Sequence, residues 1–126
     1  MPVSKTVAIV GASADRSKYG NKSLRAHLAQ GWTVYAVNPR GGEIEGLAAY
    51  RSLDEVPRPV TRVSIYLPPE AGIAVLPAIA RLKPEEFFVN PGAESDELVA
   101  EAERLGLSPI LACSIIEIGR RPGELV

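Results

Sequence analysis

Cysteine, histidine and long apolar runs are scarce in this sequence. Cys113 and His27 are the only residues of their kinds. A lone cysteine forms neither an internal disulfide nor a thiolate metal site, and this usage is typical of a reducing compartment. The first apolar run covers residues 7–10 and stops at Gly11, too short for a signal-peptide core or a membrane span. We therefore expect a cytoplasmic protein with no metal centre and no membrane partner.

Excess charge is absent as well. The 126 residues carry 14 Lys or Arg against 15 Asp or Glu, and the formal net charge of -1 excludes a chain-wide surface for nucleic acid. Hydrophobic residues make up 46% and charged residues 23%, as in ordinary globular proteins. A chain of this length is typical of one domain with its own core, so we expect residues 1–126 to form a single domain.

What the chain does contain is a regular alternation of β-rich runs and helical patterns. The β-rich runs occupy residues 7–10, 32–37, 62–67, 86–90 and 109–112, and helical spacing occurs at 21–30, 73–82 and 98–105. Between residues 41 and 59 we predict a short β element at 44–47 and a helical turn at 52–56. The segment 118–126, rich in Pro and Gly, suits either disorder or docking on a neighbour.

This alternation predicts βαβ units and hence a parallel sheet covered on both faces. Right-handed crossovers make a doubly wound sheet the simplest topology. The expected fold is therefore α/β, a single Rossmann-like, doubly wound parallel sheet of about five strands. In such a sheet a ligand binds beyond the carboxyl ends of the strands, where the strand order reverses.

Small, rigid or polar turns follow the first four predicted strands. They are Gly11-Ala12-Ser13, Asn38-Pro39-Arg40, Pro68-Pro69 and Asn90-Pro91-Gly92. Such turns let a ligand approach the backbone, although turns are commonly built from these residue types in any case. The first loop extends to Gly20 and leads into a helix whose amides would attract an anion. Its glycine spacing is neither G-x-G-x-x-G nor a P-loop.

Charge is distributed unevenly around this predicted cleft. Residues 16–42 contain five basic residues and no acidic one, whereas the rest of the chain is acidic. We expect Lys22 and Arg25 to lie on a solvated helix face, and Lys18 and Arg40 to be the better candidates for a ligand anion. After the second strand no acid occurs before Glu43. This pattern disfavours NAD and favours a phosphorylated ribose, as in NADP or coenzyme A (CoA).

Several segments together carry a family resemblance. They are VAIVGASADRSKYGNKSLRAHLAQGWTVYAVNPRGGEIEGLAAYRSL, SIYLPPEAGIAVLPAI and FVNPGAES, within residues 5–115. The sequence resembles the small single-domain CoA-binding proteins, which are similar to the N-terminal domain of the succinyl-CoA synthetase α subunit. The combination of GAS…KYG, VNPR, a strand ending in proline and a later PG is more specific than any of its parts.

The resemblance implies a CoA site along the carboxyl edge of the sheet. The pyrophosphate and pantetheine would lie along Gly11, Ala12, Ser13, Lys18, Tyr19 and Gly20. The adenosine end would lie near Val37, Asn38, Pro39 and Arg40, with Leu67 and Pro68 covering one side and Asn90, Pro91 and Gly92 at the far end.

No catalytic constellation emerges from the spacing of reactive residues. The related ligases use a phosphorylated histidine in a second domain, whereas His27 lies within the first predicted helix, where we expect an ordinary packing or surface role. Ser13 lacks a nucleophile elbow. Cys113 follows the fifth strand, where thiol exchange with CoA is conceivable but a small buried residue is the simpler interpretation.

The sequence thus predicts a protein without catalysis of its own that binds CoA or an acyl-CoA as a carrier, sensor or regulatory module. One alternative is an NADP-dependent reductase, which Arg40 favours. Another is a CoA-binding subunit of a larger acyl-CoA ligase. A protein partner or a homo-oligomer remains open.

Overall fold

A computed structural model describes residues 5–121 and 123, and it contains a central parallel sheet flanked by helices. Along the chain the elements are β1 (Thr6–Val10), α1 (Tyr19–Ala29), β2 (Thr33–Val37), β3 (Glu43–Ile44), β4 (Leu47–Ala48), a 3-10 turn (Leu53–Glu55), β5 (Arg62–Ile65), α2 (Pro69–Leu82), β6 (Glu86–Val89), α3 (Asp96–Arg104), β7 (Pro109–Leu111) and α4 (Ser114–Glu117). The predicted fold class is confirmed, and so are the short β element and the helical turn before β5.

The strand order places the reversal of the winding at β1. The five parallel strands run in the order β2-β1-β5-β6-β7, so the chain first builds outward to β2 and then crosses to β5 on the other side of β1. Val10 pairs with Val37 on β2 and with Ile65 on β5, so these three carboxyl ends lie level. A cleft between the ends of β1 and β5 is the expected consequence.

Both faces of β1 are buried, which explains its continuous apolar run. Ala8 and Val10 face the core beneath α2 and α3, whereas Val7 and Ile9 face the side of α1 and pack in a cluster with Leu24. Because successive side chains of a strand alternate between faces, four consecutive apolar residues serve two separate cores.

The helices differ from their predictions at particular residues. α1 begins at Tyr19 rather than at 21 and buries Leu24, but Leu28, expected on the same apolar stripe, is 38% exposed. The buried face of α1 carries Ser23 and His27 instead, because polar groups on β5 and α4 lie opposite. α4 was not predicted, since four residues are too few for a helical pattern.

Among residues 5–121 and 123, no helix is both long and apolar enough to cross a membrane. Disorder or docking on a neighbour was considered for segment 118–126. The structure describes residues 118–121 and 123 of this segment, and its other residues lie outside the described part of the chain.

Candidate functional site

A cleft of about 600 Å³ lies at the carboxyl edge of the sheet, where the strand order reverses. The predicted residues that line it are Gly11, Ala12, Ser13, Lys18, Tyr19, Gly20, Asn38, Pro39, Leu67, Pro68, Pro91 and Gly92. It is also lined by Pro69, from the predicted turn after the third strand, and by Tyr66 and Ala93, which were not predicted. The three remaining predicted residues, Val37, Arg40 and Asn90, lie outside the lining. The four turns that the sequence places after separate strands thus meet at one cleft.

Two glycines bring the cleft floor and the first helix together. Gly11 has a φ of +92°, and a Cβ there would lie 2.5 Å from the carbonyl oxygen of Tyr66. A Cβ on Gly20 would collide with the carbonyl oxygen of Gly11. Their roles are those of the glycines in a dinucleotide-binding turn, a tight bend and close helix–strand packing, at a different spacing. This close approach explains why glycine occupies positions 11 and 20, although their spacing matches neither G-x-G-x-x-G nor a P-loop.

The loop between these glycines is folded by its own side chains. The Asp15 amide donates to Ser13 Oγ (3.0 Å), and Asp15 Oδ1 accepts from the Ser17 amide (2.9 Å) and hydroxyl (2.6 Å). The two bonds from Ser17 to the carboxylate, that of the hydroxyl first, lower the pKa of Asp15 below its ordinary value. Asp15 is therefore an anionic loop brace rather than a candidate general acid.

Asn21, which was not predicted as a site residue, holds this loop by hydrogen bonds from inside the protein. Its side chain is fully buried, and Nδ2 donates to the Ser13 carbonyl (2.8 Å) and to Glu45 Oε2 (3.2 Å). Its Oδ1 accepts from Arg25 Nε (2.7 Å), and Arg25 also donates to the Arg16 carbonyl. Arg25 is thus a structural partner of the loop and not a freely solvated cation. Asn21 and Arg25 are four positions apart on α1, a spacing at which helical side chains meet, but the contacts with Ser13 and Glu45 arise only from the fold.

Two asparagines predicted to bind the ligand use their side-chain amides to hold protein loops and strands together. Asn38 Nδ2 donates to the Ala12 carbonyl (2.8 Å), which joins the loops after β1 and β2. Asn90 is buried, and its Nδ2 donates to Ser64 Oγ (2.7 Å) and the Ile65 carbonyl (2.9 Å). Its Oδ1 accepts from the Ser114 amide, so Asn90 supports the cleft from inside the protein. Val37 likewise contributes its carbonyl, which accepts from the amides after β1.

Tyr66 joins the cleft wall to this buried network. Its hydroxyl shares a hydrogen bond with Ser114 Oγ (2.9 Å), which in turn bonds Ser64 Oγ (2.8 Å). Burial raises the pKa of Tyr66 above its ordinary value, so the phenol stays neutral at physiological pH. The phenol orients the wall of the cleft and is not an available base.

The two helices that begin at the cleft lack side-chain caps, within the part of the chain that the structure describes. Lys18 before α1 and Pro68 before α2 make no capping bond, whereas Ser95 caps α3 by accepting from the Leu98 amide (3.0 Å). The first amides of a helix have no partner within the helix. At α1 and α2 they are therefore suited to an anion in the cleft.

The geometry agrees with a family match over nearly the whole chain. A family model described as a CoA binding domain matches residues 5–119. The chain belongs to this CoA-binding family. The predicted resemblance is thereby confirmed.

Solved structures share the fold of this CoA-binding domain. A conserved hypothetical protein from Pyrococcus furiosus superposes with a TM-score of 0.81 at 35% identity, covering 91% of this chain and 99% of that one. The dinucleotide-forming acetyl-coenzyme A synthetase 1 of Candidatus Korarchaeum cryptofilum, solved with phosphate and ADP, matches with a TM-score of 0.74 at 30% identity. That match covers 86% of this chain and 25% of the synthetase chain.

Curated relatives are longer proteins. The alpha subunit of an ADP-forming acetate–CoA ligase I from Pyrococcus furiosus is 29% identical over an alignment 142 positions long, which covers 96% of this chain and 29% of the subunit. The alpha subunit of ligase II from the same organism is 40% identical over 65 residues, 49% of this chain and 14% of the subunit. The CoA-binding domain therefore spans less than a third of the curated relatives it matches.

His27 and Cys113, the single histidine and cysteine, are both packed within the domain. His27 packs at the opposite, amino edge of the sheet, as expected of a packing histidine, and contacts Arg62 there. Cys113 is half-buried before α4 and packs beside Ile115. Among residues 5–121 and 123, no three His, Cys, Asp or Glu side chains are grouped as a metal site requires.

Proposed function

We propose that this domain binds CoA or an acyl-CoA in the cleft, as a carrier, sensor or regulatory module without catalysis of its own. The observation that carries the proposal is the arrangement of Gly11, Lys18 and the uncapped start of α1 around the cleft. Backbone amides and a helix dipole suit a pyrophosphate, and the Lys18 ammonium adds a positive charge. The cytoplasmic location expected from the sequence belongs to this proposal.

The remaining walls suit the two ends of the same ligand. Asn38 and Pro39 border the side where the adenosine end would lie, next to Arg40. Leu67 and Pro68 present apolar surface along which a pantetheine chain would pack, toward Pro91 and Gly92. CoA combines a polyanionic end with a less polar arm, as this cleft combines a cationic turn with a proline-rich wall.

The non-catalytic part of the proposal rests on how the polar groups at the cleft are used. Asp15 bonds within its own loop, and the Tyr66 hydroxyl is held by Ser114. Nucleophilic catalysis needs a nucleophile and a base within hydrogen-bond reach. Asp15 and Tyr66 are instead bonded to neighbours that fix the shape of the cleft walls.

A second candidate is a CoA-binding component of an ADP-forming acyl-CoA ligase. The alpha subunit of the Pyrococcus furiosus ligase I matches 96% of this chain, and the matched region is 29% of that subunit. In this alternative the catalytic groups come from other domains or from a protein partner. An assay of the purified chain with acetyl-CoA, ADP and phosphate tests catalysis by the chain alone: we expect no ATP, and ATP formation would refute the non-catalytic proposal. A pull-down separates the two candidates, because recovery of a ligase subunit whose binding changes with CoA would favour the second.

The direct test is calorimetric titration of ligand-stripped protein with CoA, with NADP titrated under identical conditions. We expect saturable one-to-one CoA binding and no heat with NADP. Lys18→Gln should weaken CoA binding by roughly tenfold through loss of a charge-assisted contact. Lys83→Gln is the matched control, because Lys83 lies at the far end of α2. Binding of NADP alone would favour a reductase, and silence with both ligands would refute the proposal.

A further inference from the structure

Most arginines of this chain are committed to partners inside the protein. Arg62, Arg81 and Arg104 form ion pairs with carboxylates at 2.5–3.2 Å. Arg40 and Arg51 differ: both are exposed, and within the described part of the chain neither forms an ion pair. An unpaired arginine on a surface is ordinary, but two of them flank one turn at the edge of the cleft.

Backbone pairing brings Arg51 to this turn although it is eleven positions beyond Arg40. The Asn38 amide donates to the Tyr50 carbonyl (2.9 Å), and the Ala49 amide donates to the Gly42 carbonyl (2.8 Å). The segment before Arg51 therefore runs beside the end of β2 and its following turn. Tyr50 also forms an isolated parallel bridge with Val37. The side chain of Arg51 thus leaves the backbone next to the cleft turn.

The guanidinium of Arg51 lies against the backbone of Gly41, the residue after Arg40. A Cβ on Gly41 would be 3.0 Å from Arg51 Nε and 3.4 Å from its Cζ. The missing side chain at Gly41 therefore leaves room for this guanidinium. Arg40 is held in the same turn, because its amide donates to Asn38 Oδ1 (2.8 Å), and Asn38 itself lines the cleft.

We propose that Arg51 acts with Arg40 as a clamp for the ribose monophosphate of the ligand. The Arg51 guanidinium lies at Gly41, and the Arg40 side chain leaves the backbone one residue earlier, so an anion at this turn is within the range of both. Each guanidinium can bind a phosphate with two parallel bonds. This inference rests on the proposed function and names Arg51 as a specificity-determining residue of the same site. The 3′-phosphate of CoA and the 2′-phosphate of NADP share the required chemistry, and the apolar cleft wall favours CoA.

The test compares ligands with and without the phosphate. CoA and dephospho-CoA are titrated into wild type, Arg51→Gln and Arg40→Gln, with NADP as a third ligand. We expect Arg51→Gln to weaken CoA binding about tenfold and dephospho-CoA binding less than twofold. Arg51→Lys should recover only part of the loss, because an ammonium cannot form the bidentate pair. Arg58→Gln is the control, since Arg58 is an exposed arginine in the loop before the amino end of β5.

Each outcome decides a different claim. Equal losses for CoA and dephospho-CoA in Arg51→Gln, with an unchanged melting temperature, would overturn the clamp and leave CoA binding intact. Equal wild-type affinity for the two ligands would also overturn it. Absence of binding to both would refute the proposed function itself. Tight NADP binding without CoA binding would assign the clamp to another cofactor and overturn its role with CoA.

Discussion

At the amino edge of the sheet Arg62 is buried among partners, whereas at the carboxyl edge Arg40 and Arg51 are exposed and form no ion pair with any residue that the structure describes. Arg62 is 2% exposed and contacts two carboxylates, a histidine and two aromatic rings. The same residue type is thus a structural element at one edge and an available cation at the other. Charge in a sequence therefore identifies a ligand site only after its partners are known.

The amino-edge cluster also determines the state of the single histidine. Arg62 can only donate, so His27 Nε2 accepts its bond (3.3 Å), and the ring proton lies on Nδ1, which donates to the Ser23 carbonyl (2.8 Å). Burial, and to a smaller extent the charge of Arg62, lower the pKa of His27 to about 4, although the bond to the Ser23 carbonyl and the charge of Glu117 oppose the shift. The imidazole is therefore neutral and belongs to the packing of the fold.

Polar groups at the carboxyl edge are arranged in the opposite manner. Its loops are braced from behind by Asn21, Asn38 and Asn90, whereas the helix starts at Tyr19 and Pro69 have no side-chain cap within the described chain. The amino edge satisfies its charges internally, and under the proposed function the backbone donors and cations of the carboxyl edge bind the ligand. We therefore expect substitutions of the charged groups at the amino edge to affect mainly the stability of the fold. Three predictions test this contrast between the two edges.

The largest effect is expected from Arg62→Met. Removing the guanidinium leaves Glu86, Glu117 and His27 without their shared partner, and this should lower the free energy of unfolding by about 3 kcal/mol. Urea unfolding measures it. Arg81→Met is the matched control, because Arg81 and Asp54 are both 56% exposed and their pair should contribute less than about 1 kcal/mol. Similar small losses in both variants would contradict a structural role for Arg62.

A pH-dependent loss of stability should follow from His27. Its folded pKa lies below the ordinary 6.5, so only the unfolded chain gains the proton as the pH falls. Stability is therefore full above pH 6.5 and declines toward pH 4, with a loss of about 2.5 kcal/mol between pH 7 and 4.5. Carboxylates also titrate there, so the measured quantity is the difference from His27→Gln, whose amide can keep both bonds. Parallel pH curves for the two proteins would show that His27 is not the group responsible.

A smaller difference in the free energy of unfolding is expected between alanine substitutions of two cleft glycines. Gly11→Ala should cost about 2 kcal/mol more than Gly92→Ala, because a Cβ at Gly11 would overlap the Tyr66 carbonyl and one at Gly92 meets nothing within 4 Å. Both residues have a φ near +90°, so that strain is common to the pair. Thermal unfolding measures the difference. Equal melting temperatures would mean that β1 and β5 can separate at the cleft without cost.

Much of the fold was predictable because the deciding signals are local. Five of the predicted β-rich runs became the five parallel strands, and most cleft-lining turns followed from reading the residues after them. β5 ends at Ile65, two residues before the end of the predicted run. Within it Arg62 and Ser64 alternate with apolar residues, as on a half-exposed strand. Both are in fact buried, because His27 and α4 supply partners that no local pattern shows.

By itself the sequence determined the alternation of strands and helices and the position of the turns at the carboxyl edge, because hydrophobic period and turn chemistry act over a few residues. Only the tertiary structure decided which polar residues lie at the cleft and which support it from inside the protein. Asn90 turned inward as a brace, Tyr66 joined the cleft wall, and Arg51 came to lie beside Gly41. These roles depend on contacts between residues far apart in the chain, and such contacts exist only once the sheet has brought its strands together.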